Sequence, residues 1–254
     1  MHFTLPPGGG SSPPAPTMKN VYYLPTIGEQ EDFKKEYLPP DYTPEPTKFG
    51  SKYDRNYSHA KCPAWSEWGK NTWIFYQPFD LGMLYKSTDK YLDTNLAQPI
   101  FDEFFNLTSN WLDGELPEIQ YNYGHALWTR DKDVWVEQIP HPLLSRYGLE
   151  CIPGTYPLSV WQRPLGFGFK LLDLDTNLWI PKGTPLFMLR LYSQKSDSTF
   201  SLKKKAPPQD ILDQYAQNAR LKEFDKFASW SLIKDRLKKE DSKCPFDFLW
   251  KKQS

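Results

Sequence analysis

Ile180-Pro181-Lys182-Gly183-Thr184-Pro185-Leu186 closes a stretch, from Tyr121 to Tyr192, in which short aromatic-rich segments alternate with Pro and Gly. Short runs of β-branched and aromatic residues cut by turn formers are the mark of strands. The heptapeptide reads as a tight turn with Gly183 at positive φ, feeding a buried strand that begins at Leu186. Working outward, strands are predicted at about 117–129, 133–138, 147–152, 166–172, 178–180 and 186–192, with turns at Asp131-Lys132-Asp133 and Pro153-Gly154-Thr155. Strict alternation places Val134 and Val136 on the face opposite Trp135, and Glu137 on the same face as Trp135. Upstream, Asn71-Thr72-Trp73-Ile74-Phe75-Tyr76 is a further strand, stopped by Pro78. Many short strands with frequent turns predict a mainly β fold, an antiparallel sandwich or jelly-roll-like barrel, spanning residues 58–198.

Two extensions flank this domain. Residues 1–57 form a Pro-rich extended arm whose start, through Pro6-Pro7-Gly8-Gly9-Gly10-Ser11-Ser12-Pro13-Pro14, has too few apolar side chains to offset ordering entropy. That start is expected to be flexible, whereas Tyr22, Tyr23, Phe33, Tyr37 and Tyr42 suit an extended segment laid over this domain or a neighbour. At the other end, residues 199–254 divide into a polar Lys-rich linker (199–205), an amphipathic helix over about 208–240, and the apolar tail Cys244-Pro245-Phe246-Asp247-Phe248-Leu249-Trp250. The helix either packs on its own sheet or offers its apolar face to a partner.

Composition narrows the function classes. Aromatics make up 16% of the 254 residues, with 10 Trp, which supplies large side chains for a core. A mean hydropathy of −0.66 predicts a soluble chain. The 31 basic and 31 acidic residues cancel, so no global field draws in nucleic acid or an anionic membrane. No apolar run approaches the ~20 residues of a membrane span and no basic-then-apolar leader is seen, so a cytosol-like compartment is expected, without secretion through a signal peptide. Cys62, Cys151 and Cys244, an odd number at wide spacing, argue against a disulfide framework and read as small structural thiols.

Chemistry-bearing residues are sparse. The four histidines are His2, His59, His125 and His141. His59 and Cys62 would complete a zinc site with His125 or His141 only if three loops converged, which nothing in the spacing requires, so no metal is assigned. Neither His125-Ala126-Leu127 nor His141-Pro142-Leu143 carries the nearby acid that a jelly-roll iron oxygenase uses. With no nucleophile elbow, phosphate loop or dinucleotide fingerprint, no catalytic residue and no cofactor is assigned. Among acids set in aromatic surroundings (Asp80, Asp102, Asp133, Glu137), Glu137 stands out because it shares a face with Trp135. Trp128, Trp135, Trp161 and Trp179, with Arg163 beside Trp161, either line a sugar- or base-stacking face or fill the core. The candidate ligand-binding residues are therefore Trp128, Trp135, Trp161, Arg163, Glu137, His125 and His141.

The order Cys62-Pro63-Ala64, Asn71-Thr72-Trp73-Ile74, Pro78-Phe79-Asp80, Gly124-His125, Trp135, Ile139-Pro140-His141-Pro142, Ile152-Pro153-Gly154-Thr155, Trp161-Gln162-Arg163-Pro164 and Ile180 to Leu186 resembles an uncharacterised family of tailed-phage and bacterial proteins, over about residues 62–192. The resemblance implies a phage setting; it brings no assigned activity, so it maps no catalytic residues. Pro-rich arms on a β-domain suit virion proteins that lash neighbours together, since an extended arm gains many contacts when it orders. The leading expectation is a non-enzymatic phage protein, virion-associated or assembly-related, gripping phage or host proteins through its arm and C-terminal helix, with homo-oligomerisation left open. The alternatives are a small-molecule, sugar or nucleotide-binding β-domain and a jelly-roll metal enzyme using His125, His141 and Glu137.

Overall fold

The structure, a computed structural model, describes residues 16–25, 45–50, 62–108, 118–224 and 228–240. His2, His59, the start of the arm, its aromatics Phe33, Tyr37 and Tyr42, and the tail from Cys244 to Trp250 lie outside the described residues.

The fold is mainly β, built from several antiparallel sheets with helices at the C-terminal end. The first sheet runs β14 (Ser198–Lys204), β1 (Thr17–Pro25), β7 (Glu118–Trp128), β11 (Arg163–Leu171) and β9 (Leu149–Cys151), and β6 (Phe105–Thr108) pairs with the first half of β7. The second runs β10 (Gly154–Pro157), β8 (Trp135–Pro140), β13 (Pro185–Tyr192), β3 (Thr72–Tyr76) and β2 (Thr47–Lys48). The third holds β12 (Leu178–Ile180), β4 (Leu81–Lys86) and β5 (Tyr91–Thr94). Two short helices, α1 (Pro63–Trp68) and α2 (Gln98–Phe104), begin with Pro in the first turn, where its missing N–H costs nothing. Helices α3 (Gln209–Phe224) and α4 (Ala228–Glu240) follow the last strand.

Period-two alternation builds the core. Tyr121, Tyr123 and His125 on β7 and Phe167 and Phe169 on β11 point the same way, toward Phe75 on β3 and Phe187 on β13. Phe187 stacks on Phe75 at 5.1 Å between ring centroids and meets Phe167 at 4.2 Å and Tyr123 at 5.3 Å, so the first two sheets contact each other through these rings. Val134 and Val136 are buried while Trp135 is half-buried on the opposite face, as alternation requires.

Gly183 has φ of 82°. Its turn is closed by Thr184 N–H donating to Pro181 O at 3.1 Å, and it is tied to the end of β3 by Gly183 N–H donating to Gln77 O at 2.8 Å. A Cβ there would meet nothing within 4 Å, so only backbone strain opposes substitution. Gly183→Val is accordingly expected to lower stability by about 1–2 kcal/mol. Thermal unfolding checks this, and a variant as stable as the parent would contradict the left-handed turn.

Several boundaries differ from the sequence expectation. Thr17–Pro25, placed in the arm by its Pro-rich neighbourhood, is β1 and lies between β14 and β7, with Val21 and Tyr23 buried. Residues 199–205, expected as a linker, are mostly β14, which pairs parallel with β1. Its polar composition hides it, because Phe200 and Leu202 are the only apolar side chains it turns toward the core. Strand β11 starts earlier than expected, at Arg163, and the irregularity between Pro164 and Gly166 accommodates a residue with no N–H to give. The single helix expected over 208–240 is two. Arg236 Nη1 donates to Asn218 Oδ1 at 3.0 Å, whereas one straight helix would hold these residues about 27 Å apart along its axis.

Asn71 closes the free side of β14. It sits at φ of 57°, and its side chain donates Nδ2–H to Ser198 O and accepts Phe200 N–H, both at 3.1 Å, occupying main-chain groups that an edge strand leaves open.

Candidate functional site

His125 faces inward from β7 and is fully buried. Its ring stacks on Tyr123 at 4.6 Å and on Tyr23 at 5.8 Å, and meets Phe75 edge-on at 5.7 Å. Nδ1 lies 3.5 Å from Tyr123 O, and Nε2 has no hydrogen-bond partner among the described residues. Burial pushes its pKa down to about 4, the Tyr123 carbonyl opposing and Lys204 reinforcing the shift. A neutral imidazole in an aromatic cage is a core side chain. His141 instead shapes the turn after β8, where its Nδ1 accepts Leu143 N–H at 3.3 Å and its carbonyl accepts Leu144 N–H at 3.0 Å. Among the described residues no group of three or more His, Cys, Asp or Glu side chains is placed to hold a metal ion.

Glu137 does share a face with Trp135, and the cross-strand residue opposite it on β13 is Arg190, with which it forms an ion pair. Two pairs along, on the same face, Trp135 lies against Tyr192 with centroids 6.1 Å apart. Trp135 Nε1–H donates to Asp133 Oδ1 at 3.2 Å. Asp133, expected as a turn acid, is a hub. Burial works against its charge, but hydrogen bonds from Ser193 and from the N–H groups of Lys195 and Gln194, together with the Lys19 ammonium, hold its carboxyl below the ordinary value. Lys19 is itself buried and donates to Lys132 O at 2.7 Å and Asp133 O at 3.1 Å, which fastens β1 to the loop before β8.

The four tryptophans do not form one face. Trp128 belongs to the first sheet, Trp135 to the second and Trp179 to the third, while Trp161 is buried in the loop between β10 and β11. Arg163 donates Nε–H to Pro164 O at 3.3 Å and sits 5.8 Å from the Tyr156 ring centroid. Between Trp161 and Arg163, Gln162 proves to be the residue that joins elements. Its Oε1 accepts Thr129 N–H, and its Nε2 donates to Thr129 O at 3.0 Å and to Gln214 Oε1 on α3 at 3.3 Å. Sequence reasoning passed over it because these partners stand 33 and 52 positions away. Asn218 Nδ2 donates to Gln162 O at 2.8 Å and Tyr215 O–H donates to Leu127 O at 2.7 Å, so α3 packs on its own sheet.

Two surface features remain. At the end of β7, Trp128 stacks on Tyr22 at 4.4 Å beside a cleft of about 310 Å³ lined also by Arg130, Asp131, Lys205 and Pro208. On the third sheet, alternation turns Leu81, Met83, Leu92, Leu178 and Ile180 inward and leaves Trp179 and Tyr91 outward, 55% and 50% exposed. Trp179 lies opposite Gly82, where a Cβ would come within 3.2 Å of the indole, so glycine lets the ring lie close against the sheet.

No protein-family model matches this chain, and no curated protein matches it. No described helix is long and apolar enough to cross a membrane.

Proposed function

We propose that this chain is a non-enzymatic phage protein, virion-associated or assembly-related, that works by protein–protein contact. The phage setting rests on the motif order from Cys62 to Leu186. The contact reading rests on the outward face of the third sheet, where Trp179 and Tyr91 stand half-exposed beside the Lys86–Asp93 ion pair. Exposed Trp and Tyr on a rigid sheet are the side chains that anchor protein interfaces, because they bury much area while losing little rotamer entropy. The apolar side of α3 is occupied by its own sheet, which moves the expected contact surface from that helix face to the third sheet. An enzyme reading built on His125, His141 and Glu137 has little to support it, since these residues lie buried in the core, shape a turn and pair with Arg190 respectively.

The test is quantitative mass spectrometry of purified particles, with pull-downs using the parent chain and the Trp179→Ala/Tyr91→Ala double variant. Stoichiometric presence is expected, with at least a tenfold loss of a particle protein's capture in a double variant that keeps its unfolding midpoint. Absence from particles, with no phage protein captured by the parent, would sink the proposal.

A further inference from the structure

The cleft beside Trp128 is built from three separated pieces of chain: β1, the end of β7 with the loop after it, and the segment 205–208 that leads into α3. Its aromatic wall is fixed from several sides. Trp128 Nε1–H donates to Lys205 O at 3.1 Å, Lys205 N–H donates to Tyr23 O at 2.9 Å, and Tyr22 is stacked on Trp128. The Lys205 ammonium lies 5.3 Å from the Tyr22 ring centroid and 5.7 Å from that of Trp128. Among the described residues it has no carboxylate partner. Arg130 binds both oxygens of Asp210 through a single nitrogen, Nη2, at 2.9 and 3.0 Å, which leaves the other nitrogens of an exposed guanidinium free of that contact. Asp131, the cleft's own acid, accepts Asn20 N–H on Oδ2.

We infer that this cleft binds a small organic anion with a flat ring, the ring lying along the Tyr22 and Pro208 wall and the anionic group meeting Lys205 and Arg130. The volume of about 310 Å³ matches the lower end of small-molecule sites and admits one ring with one charged group. Lys205 is exposed, so its ammonium, placed by the two rings, keeps its donors for a phosphate or carboxylate, a charge-assisted contact stronger than a neutral hydrogen bond. This site is independent of the third-sheet surface.

The experiment is isothermal titration of the purified full chain with adenosine 5′-monophosphate, 2-naphthoate, adenosine and inorganic phosphate. Saturable binding of either ring-bearing anion is expected, at least tenfold tighter than adenosine or phosphate alone; which of the two binds assigns phosphate or carboxylate as the anionic group. Lys205→Met keeps the main-chain bonds of residue 205 and is expected to weaken binding at least tenfold, with Lys205→Arg restoring most of it; Arg130→Gln gives a second, smaller loss. Circular dichroism confirms that each variant is folded. No saturable binding of either ring-bearing anion at millimolar concentration, adenosine or phosphate binding as tightly as they do, or a folded Lys205→Met that binds as the parent does would each overturn the assignment.

Discussion

Phe187→Ala is expected to cost about 3–5 kcal/mol, a large fraction of the roughly 5–15 kcal/mol by which domains are commonly stable. Phe187 is fully buried and touches rings from both contacting sheets: Phe75 on its own sheet, and Tyr123 and Phe167 on the other. Removing it takes away the transfer free energy of the ring and leaves a cavity whose walls belong to β-strands that cannot close without breaking their ladders. Phe187→Leu retains most of the volume and is expected to cost less than about 2 kcal/mol. Urea unfolding followed by circular dichroism separates the two. A cost below about 1 kcal/mol for the alanine variant would mean that the sheets do not meet through this ring.

The second large effect is acid sensitivity centred on one side chain. The folded chain holds His125 neutral down to about pH 4, whereas in the unfolded chain it titrates near its ordinary 6.5. Below 6.5 the unfolded state therefore takes up a proton that the folded state refuses. Stability from this residue is fully present above pH 6.5 and is lost progressively as pH falls toward 4, by about 3 kcal/mol in all and about 2 kcal/mol at pH 5. Asp133, whose carboxyl is held below its ordinary value, adds its loss only at more acid pH, below about 4, so the two limbs separate. His125→Phe keeps a flat ring among Tyr23, Tyr123 and Phe75 and removes the titration. Unfolding midpoints measured from pH 7.5 to 4 should converge at neutral pH and diverge below 6.5, the variant becoming the more stable. Parallel curves would show that His125 is not a buried neutral base.

The central strands were legible because a buried strand in an aromatic-rich protein alternates in plain view, as Val134-Trp135-Val136 does, and because Gly183 between Lys182 and Thr184 announces a turn that only glycine makes without strain. The edges were not. The cue that marks β14 is two apolar residues in a Lys- and Ser-rich run, and its partner β1 lies 181 positions away at Met18 and Thr199. Asn71 carries no cue that it will adopt φ of 57° and reach across to Ser198 and Phe200.

The candidate site was legible only as residue types. Trp128, Trp135, Trp161 and Trp179 were recognisable as stacking side chains, but a strand's sequence does not say which sheet it joins, and three sheets separated them. Glu137 beside Trp135 followed from a period of two, whereas its neutralisation by Arg190 depended on the register of β13 against β8. By itself the sequence determined the mainly β class, the alternating core faces and the Gly183 turn, because each follows from forces between residues that are neighbours along the chain. Only the tertiary structure decided that β1 and β14 complete the first sheet, that α4 folds back on α3, and that Tyr22, Trp128 and Lys205 stand together at one cleft. Those arrangements are set by hydrogen-bond pairing and burial between segments far apart in sequence, whose free energies local composition does not encode.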